Sequence, residues 1–480
     1  MQRKYLFSVA LGGASVDASA HAFVQQYSLP VPFSLYAGGA AVVLALSFIA
    51  AAVLAKVPSP EVTSPLTPTR SKEAKRKNNC ITWQQSIVLA LMMLCVVSGL
   101  IGSTDVFKNI NMTLFWVVLF LVVPYAVLFF GDFYAPVNPW TGLVTVIEML
   151  TRKNFSGRAS YPNRLGHFPG LVLYMSLIAL ELFGHVKPLG LSVALVVYSL
   201  VMTVGSWIYG KETWIAHAEV FGILCRLVGM MSVRAGGGNA RIRLPMFRIS
   251  EEYRRDFGLI LFVLFMLSST AFDGIHETVP WMNLYWTIVY PYISWVDTLW
   301  GAAGQNRYVA STTLYGAWQW VALFVSPLLY FFVFAVFLRF SSITGRSKLS
   351  VRDLLARFTL CLLPIAFVYH VSHYFLLVVM QGPQLIKLVS DPFGFGWNLL
   401  GTATWRIPPV NLDVETIWHA QVALIIVGHV ASVVIAHFEA LRSFDTPRQA
   451  TLSQVPMLGL MVLFTASGLW ILSLPISPSS

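Results

Sequence analysis

The chain has 480 residues, of which 56% are hydrophobic and only 11% charged, and a formal net charge of +11. Soluble domains carry about a quarter charged residues, so this composition, with a mean hydropathy of +0.69, excludes an ordinary water-soluble fold. Stretches of roughly 20 apolar residues, each able to cross about 30 Å of hydrocarbon, recur throughout. They predict an all-α, polytopic transmembrane helical bundle in a lipid bilayer.

In chain order, residues 1–20 begin with Arg3 and Lys4, run through an apolar stretch over 5–16 interrupted by Gly12 and Gly13, and end on Ala18-Ser19-Ala20. That is the pattern of a signal peptide. Cleavage there leaves a single transmembrane domain over 21–480, with His21 as its new N-terminus. An amine and an imidazole on one residue form a brace for copper, the metal that nitrogen sites favour most, while His-Ala is equally what simply follows a cleavage site. Ten spans are expected, at about 33–55, 84–102, 112–131, 167–185, 190–210, 257–274, 316–339, 356–380, 417–438 and 456–475. The segment FSLYAGGAAVVLALSFIAAAVLA is apolar on every face, unlike the alternating strand of a membrane barrel.

Basic residues gather in every second loop: six in 56–83, four in 132–166, eight in 211–256, five in 339–357 and two in 440–455. The opposite loops hold Lys108, Lys187, Arg307, Lys387 and Arg406. This bias of 25 to 5 follows the positive-inside rule and places both mature termini on the periplasmic side of a bacterial cytoplasmic membrane. The net charge thus reports topology. A nucleic-acid partner is excluded, because it would need the basic residues on one soluble face, whereas Arg70-Ser71-Lys72-Glu73-Ala74-Lys75-Arg76-Lys77 reads as an anchor against anionic lipid.

Cys80, Cys95, Cys225 and Cys361 form no C-x-x-C pair and imply neither a disulfide nor a zinc site. Gly236-Gly237-Gly238 reads as a hinge after an amphipathic segment over 214–233. On the outer side, 281–301 (WMNLYWTIVYPYISWVDTLWG) carries many Trp and Tyr with one acid and no base. That composition favours a helix lying in the membrane interface over a substrate-binding aromatic box.

An ionisable side chain within a span costs a few kcal/mol unless it is paired or hydrated, so candidate chemistry lies there. FVYHVSHY in the eighth span places His370 and His373 at i and i+3, about 60° apart. The ninth span places His429 beside Gly428, whose missing side chain lets another helix approach. At 1.5 Å per residue the three lie about 15, 10 and 17 Å below the outer ends of their spans, which predicts one shared pocket holding a transition metal, zinc or copper. Asp273, His276 and His419 stand near the same ends as further ligands, or as a carboxylate that orients a histidine. Two other readings stay open: histidines bonded only to backbone or Ser, and a proton relay or haem ligation. His437, beside Glu439, reads as structural, and Glu181 as a lone buried acid that is protonated or paired with a neighbour.

The strings HVSHYFLLVVMQG, GHVASVVIAHFEAL, SSTAFDGIHETVPW, FFGDFYAPVNPW and AHAFVQQYSLPVPFSL resemble the bacterial integral-membrane family of fenitrothion hydrolases over nearly the whole chain. The resemblance implies a membrane-bound hydrolase of lipophilic phosphoesters or aryl phosphorothioates, with a second membrane subunit as a candidate partner. It marks His373, His429, His437, Asp273 and Asn138 as motif positions; His370 is added on geometry alone. The candidate catalytic set is therefore Asp273, His373 and His429, and the candidate metal ligands are His370, His373 and His429. In a metal mechanism, a histidine-bound cation lowers the pKa of its water, hydroxide attacks phosphorus in line, and Asp273 acts as general base or orients a ligand. No G-x-S-x-G elbow or H-E-x-x-H pair offers another hydrolytic centre. The rival classes are a proton- or ion-coupled transporter, in which the same histidines and Glu181 relay protons, and a membrane subunit of a metal or redox complex.

A reporter fused after Ser480 should be active only outside the cytoplasm, and the intact mass of the purified protein should correspond to a chain starting at His21. Cytoplasmic activity would contradict the first expectation, and a retained Met1 the second.

Overall fold

Lipid offers the backbone no hydrogen-bond partner, so a chain with so little charge must satisfy its amides internally, which a helix does within each segment. The computed structural model describes residues 32–54, 81–232, 255–302, 306–408, 410 and 412–474, and every long element in it is a helix. The expected signal peptide, the His21 brace, the basic run at 70–77, Cys80 and the glycines at 236–238 lie outside the described residues.

The elements in order are α1 (Phe33–Leu54), α2 (Trp83–Ile101), α3 (Ile110–Phe130), α4 (Pro139–Thr151), α5 (Phe168–Phe183), α6 (Pro188–Tyr209), α7 (Lys211–Ala218), α8 (Val220–Gly229) and α9 (Phe257–Ile275). Two shorter helices follow, α10 over 279–293 and α11 (Trp295–Ala302), then α12 (Arg307–Thr344), α13 (Val351–Phe358), α14 (Leu363–Gln381), α15 (Leu385–Ser390), α16 (Val414–Ser443) and α17 (Pro447–Ser473). Within α3, Thr113–Val122 is wound as a π-helix. Among the described residues nine helical stretches are long and apolar enough to cross a bilayer, as expected of a multi-pass membrane protein.

Three expectations are corrected. The fourth of the ten expected spans, 167–185, is only the 16-residue α5, about 24 Å long against roughly 30 Å of hydrocarbon. Gly184 closes α5 and Pro188 already opens α6, leaving no room to lengthen it. The single aromatic helix expected over 281–301 breaks at Ser294, whose hydroxyl takes the Pro291 carbonyl at 3.2 Å in place of a continuing backbone amide. The expected connections over 132–166 and 211–256 contain α4, α7 and α8.

Packing centres on α9, of which protein encloses 83% of the apolar window, against 11% for the first span. Beside it runs α14, with α16 on one flank and the π-helical part of α3 on another. α5 packs on α9, α7 and α8; α2 lies against α6 and α4; α1 lies against α16 and α17. α9 and α14 therefore join a group built from the first half of the chain to one built mostly from the second.

Glycines set two of the closest approaches. A Cβ on Gly428 would meet the Val368 side chain and, at 3.0 Å, the Pro364 carbonyl, so α16 can lie on α14 only without one. A Cβ on Gly468 would overlap the hydroxyl of Tyr369, which donates to the Phe464 carbonyl at 2.7 Å. Gly468→Ala should expel that hydroxyl at a cost of about 1–3 kcal/mol and lower the melting temperature in detergent by several degrees. Gly38→Ala, where nothing lies within 4 Å, should not. Equal melting of the two variants would refute this packing.

Candidate functional site

α5 and α9 each end on an acid in the last turn, Glu181 and Asp273, and the adjacent α14 brings His373 and Tyr374 between them. The Tyr374 hydroxyl lies 2.7 Å from Asp273 Oδ2 and 3.1 and 3.0 Å from the two oxygens of Glu181. His373 Nε2 lies 2.8 Å from the same Asp273 Oδ2. Asp273 and Tyr374 are 3% and 4% exposed, so bulk water does not solvate them. A phenol has one proton to donate. If Tyr374 gives it to Asp273, the contact with Glu181 is completed by a proton on Glu181 itself. Four side chains from three helices thus share protons in one continuous chain: carboxyl, phenol, carboxyl, imidazole.

The structure separates the histidines expected to converge. His370 sits one turn before Tyr374, with their rings 4.9 Å apart, and turns towards α3, where its Nδ1 is 3.3 Å from the Tyr125 hydroxyl and Phe120 meets its ring edge-on at 5.1 Å. The π-helical winding of α3 presents Phe120 there; such widened turns recur at functional sites. His373, about 60° further round α14, faces Asp273 on α9 instead. His429 is fully buried against Tyr369, its Nδ1 2.9 Å from the Ile425 carbonyl of its own helix, while Nε2 has no hydrogen-bond partner. Gly428 does permit the close helix approach expected of it, but that approach brings Val368 and not His370 or His373 to the contact. Among the described residues no three His, Cys, Asp or Glu side chains are placed to hold one metal ion. As placed, the three imidazoles do not fit a single zinc or copper ion.

The remaining singled-out residues scatter. His276 Nδ1 lies 2.9 Å from the Asp273 carbonyl, with its ring against Phe183 and Phe272. His419 meets the Tyr36 hydroxyl at 3.3 Å, and His437 packs against Phe48. Glu181, read as a lone acid, is joined to Asp273 through Tyr374. Sequence reasoning passed over that tyrosine although it stands next to His373 in HVSHY. Asn138 serves a different cluster: its side-chain oxygen caps α4 by accepting from Trp140 and Thr141, and its amide donates to Glu219 at 2.6 Å.

Glu219 is fully buried between α7 and α8, accepting from the backbone N–H of Phe221 and Gly222 and from Tyr198. Burial pushes its carboxyl up from 4.5 to about 7, against the pull of those N–H groups, Asn138 and Tyr198. The folded protein therefore holds this proton more tightly than the unfolded chain. Its contribution is complete below pH 4.5 and is lost as pH rises towards 7, at up to about 1.4 kcal/mol per unit. Between pH 5 and 7 the melting temperature should fall more steeply for the wild type than for Glu219→Gln, which cannot ionise; parallel curves would discard this assignment. Comparison with protein families, with characterised proteins and with solved structures gives no match, so function has to be read from the chain's own residues.

Proposed function

We propose that the protein is a proton-coupled transporter of a bacterial cytoplasmic membrane, in which Glu181, Tyr374, Asp273 and His373 hold and pass the coupling proton. The observation that carries this reading is the Tyr374 hydroxyl between two carboxyl groups from different helices, with His373 on the far side of one of them. A proton arriving on His373 passes to Asp273; Tyr374 takes it up at its oxygen while releasing its own to Glu181, and the phenol is unchanged. Because the groups belong to α5, α9 and α14, each gain or loss of a proton changes the attraction between three helices. That differential interaction is what lets a ligand as small as a proton shift a conformational equilibrium. On this reading the basic loops face the cytoplasm, the relay lies near the outer ends of these helices, and the aromatic α10 and α11 lie at the outer interface.

One observation favours a second reading. A carboxylate on one nitrogen of an imidazole, as in Asp273–His373, is the arrangement of a general base whose other nitrogen takes a proton from water. The hydroxide so formed would attack phosphorus in line and expel aryloxide, the activity implied by the resemblance to fenitrothion hydrolases. Neither reading routes a step through zinc or copper.

Proteoliposomes with an entrapped pH dye separate the two. Wild type should dissipate an imposed pH gradient, and Glu181→Gln or Tyr374→Phe should slow this about tenfold or more. Equal rates in wild type, Glu181→Gln and protein-free vesicles would end the transport reading. Aryloxide release from an aryl phosphorothioate by wild type, lost in Asp273→Asn and kept in Glu181→Gln, would establish the hydrolytic one.

A further inference from the structure

α5 carries protonatable side chains at intervals of seven residues: His167 at its N-cap, Tyr174 in its middle and Glu181 in its last turn. Seven residues turn the helix through about 700°, within about 20° of two full turns, so the three lie on one stripe about 10 Å apart. The stripe faces α9. His167 Nδ1 is 2.5 Å from Asp256 Oδ2; Tyr174 stacks on Phe262, meets Phe265 edge-on and sets its hydroxyl against Ser269; Glu181 reaches Asp273 through Tyr374.

Two connections extend this stripe. At the basic-loop end, His167 is 2% exposed, and the half-buried ring of His217 on α7 lies 4.8 Å from it while stacking on Tyr161. The enclosed imidazole thus reaches the surface through His217. In the middle, a cavity of about 10 Å³ is lined by Tyr174, His370 and five apolar side chains. That is room for one water. On its other side the His370 ring lies 4.9 Å from that of Tyr374, so the cavity joins the stripe to the relay.

We infer that this seam is a proton path through the protein, running from His217 and His167 to Tyr174, through a water in the cavity to His370, and on to Tyr374 and Glu181. The inference rests on the relay reading above and gives it a route to the opposite side of the membrane. Each hydroxyl accepts a proton at the oxygen from which it releases one, and each imidazole accepts at one nitrogen as the other releases, so protons balance at every station without a co-reactant. The six residues between His167 and Tyr174, Phe168-Pro169-Gly170-Leu171-Val172-Leu173, carry no polar side chain and form the gate.

Tyr174→Phe keeps the ring and its stack on Phe262 and removes only the hydroxyl; His217→Phe keeps the stack on Tyr161 and removes the nitrogens. In full-length protein oriented in vesicles, the readout is the infrared band of the protonated Glu181 carboxyl, identified by its loss in Glu181→Gln, after a pH jump on one side. Wild type should respond to a jump on either side. Both variants should respond about tenfold more slowly or worse to a jump on the basic-loop side, and as fast as wild type to one on the other. An undiminished basic-loop-side response in Tyr174→Phe overturns the path and leaves the relay standing, and the same in His217→Phe overturns the port at His217. If no band depends on Glu181, the relay reading itself falls.

Discussion

A carboxyl group inside a membrane protein is tolerated only where protein partners replace the water it has lost, and the arrangement of this bundle follows from supplying them to Asp273. Leaving such a group without partners costs several kcal/mol, whereas a satisfied polar contact between membrane helices gains only about one. The contacts to Tyr374 and His373 therefore act more by forbidding other registers than by adding stability. Tyr374 fixes the height of α14 against α9, Glu181 does the same for α5, and the helix that carries Asp273 is the one most completely enclosed by protein.

α9 carries the same chemistry at both ends. Asp256 caps its start and takes His167, while Asp273 in its last turn takes His373. Each aspartate binds a histidine from a different neighbour, so α9 is pinned to α5 at one end and to α14 at the other, with an apolar middle between. Two acid–imidazole pairs at opposite ends of one enclosed helix are costly to maintain, and packing alone does not require them.

Much of the fold was legible in the sequence because hydropathy and length decide where a chain can cross lipid. The first span, expected at 33–55, is Phe33–Leu54, and the expected 257–274 is Phe257–Ile275. Where the reading went astray, local chemistry overrode composition: Gly184 and Pro188 cut α5 short, and the Ser294 hydroxyl divides the aromatic segment. The site was half legible. Cost of burial picked out Asp273, His373 and Glu181 one by one. Helical spacing, however, tells which residues share a face and not which neighbour that face meets. The 60° between His370 and His373 was enough to send one towards Tyr125 and the other towards Asp273. Tyr374 escaped notice because a phenol is not charged, although its single proton is what makes the two acids one unit.

The shortness of α5 has an electrical consequence. A charge that crosses a membrane does work against the potential, about 2.3 kcal/mol per elementary charge for each 100 mV. Where the apolar barrier is a helix of 16 residues, about 24 Å in place of roughly 30 Å of hydrocarbon, the same voltage falls over a shorter distance. The field along the α5–α9 seam is then steeper, by about a quarter, than through the lipid around it. Any proton moving between His167 and Glu181 is thereby driven by the membrane potential as well as by the pH difference, and the resting voltage of the cell becomes part of the force on that side of the bundle.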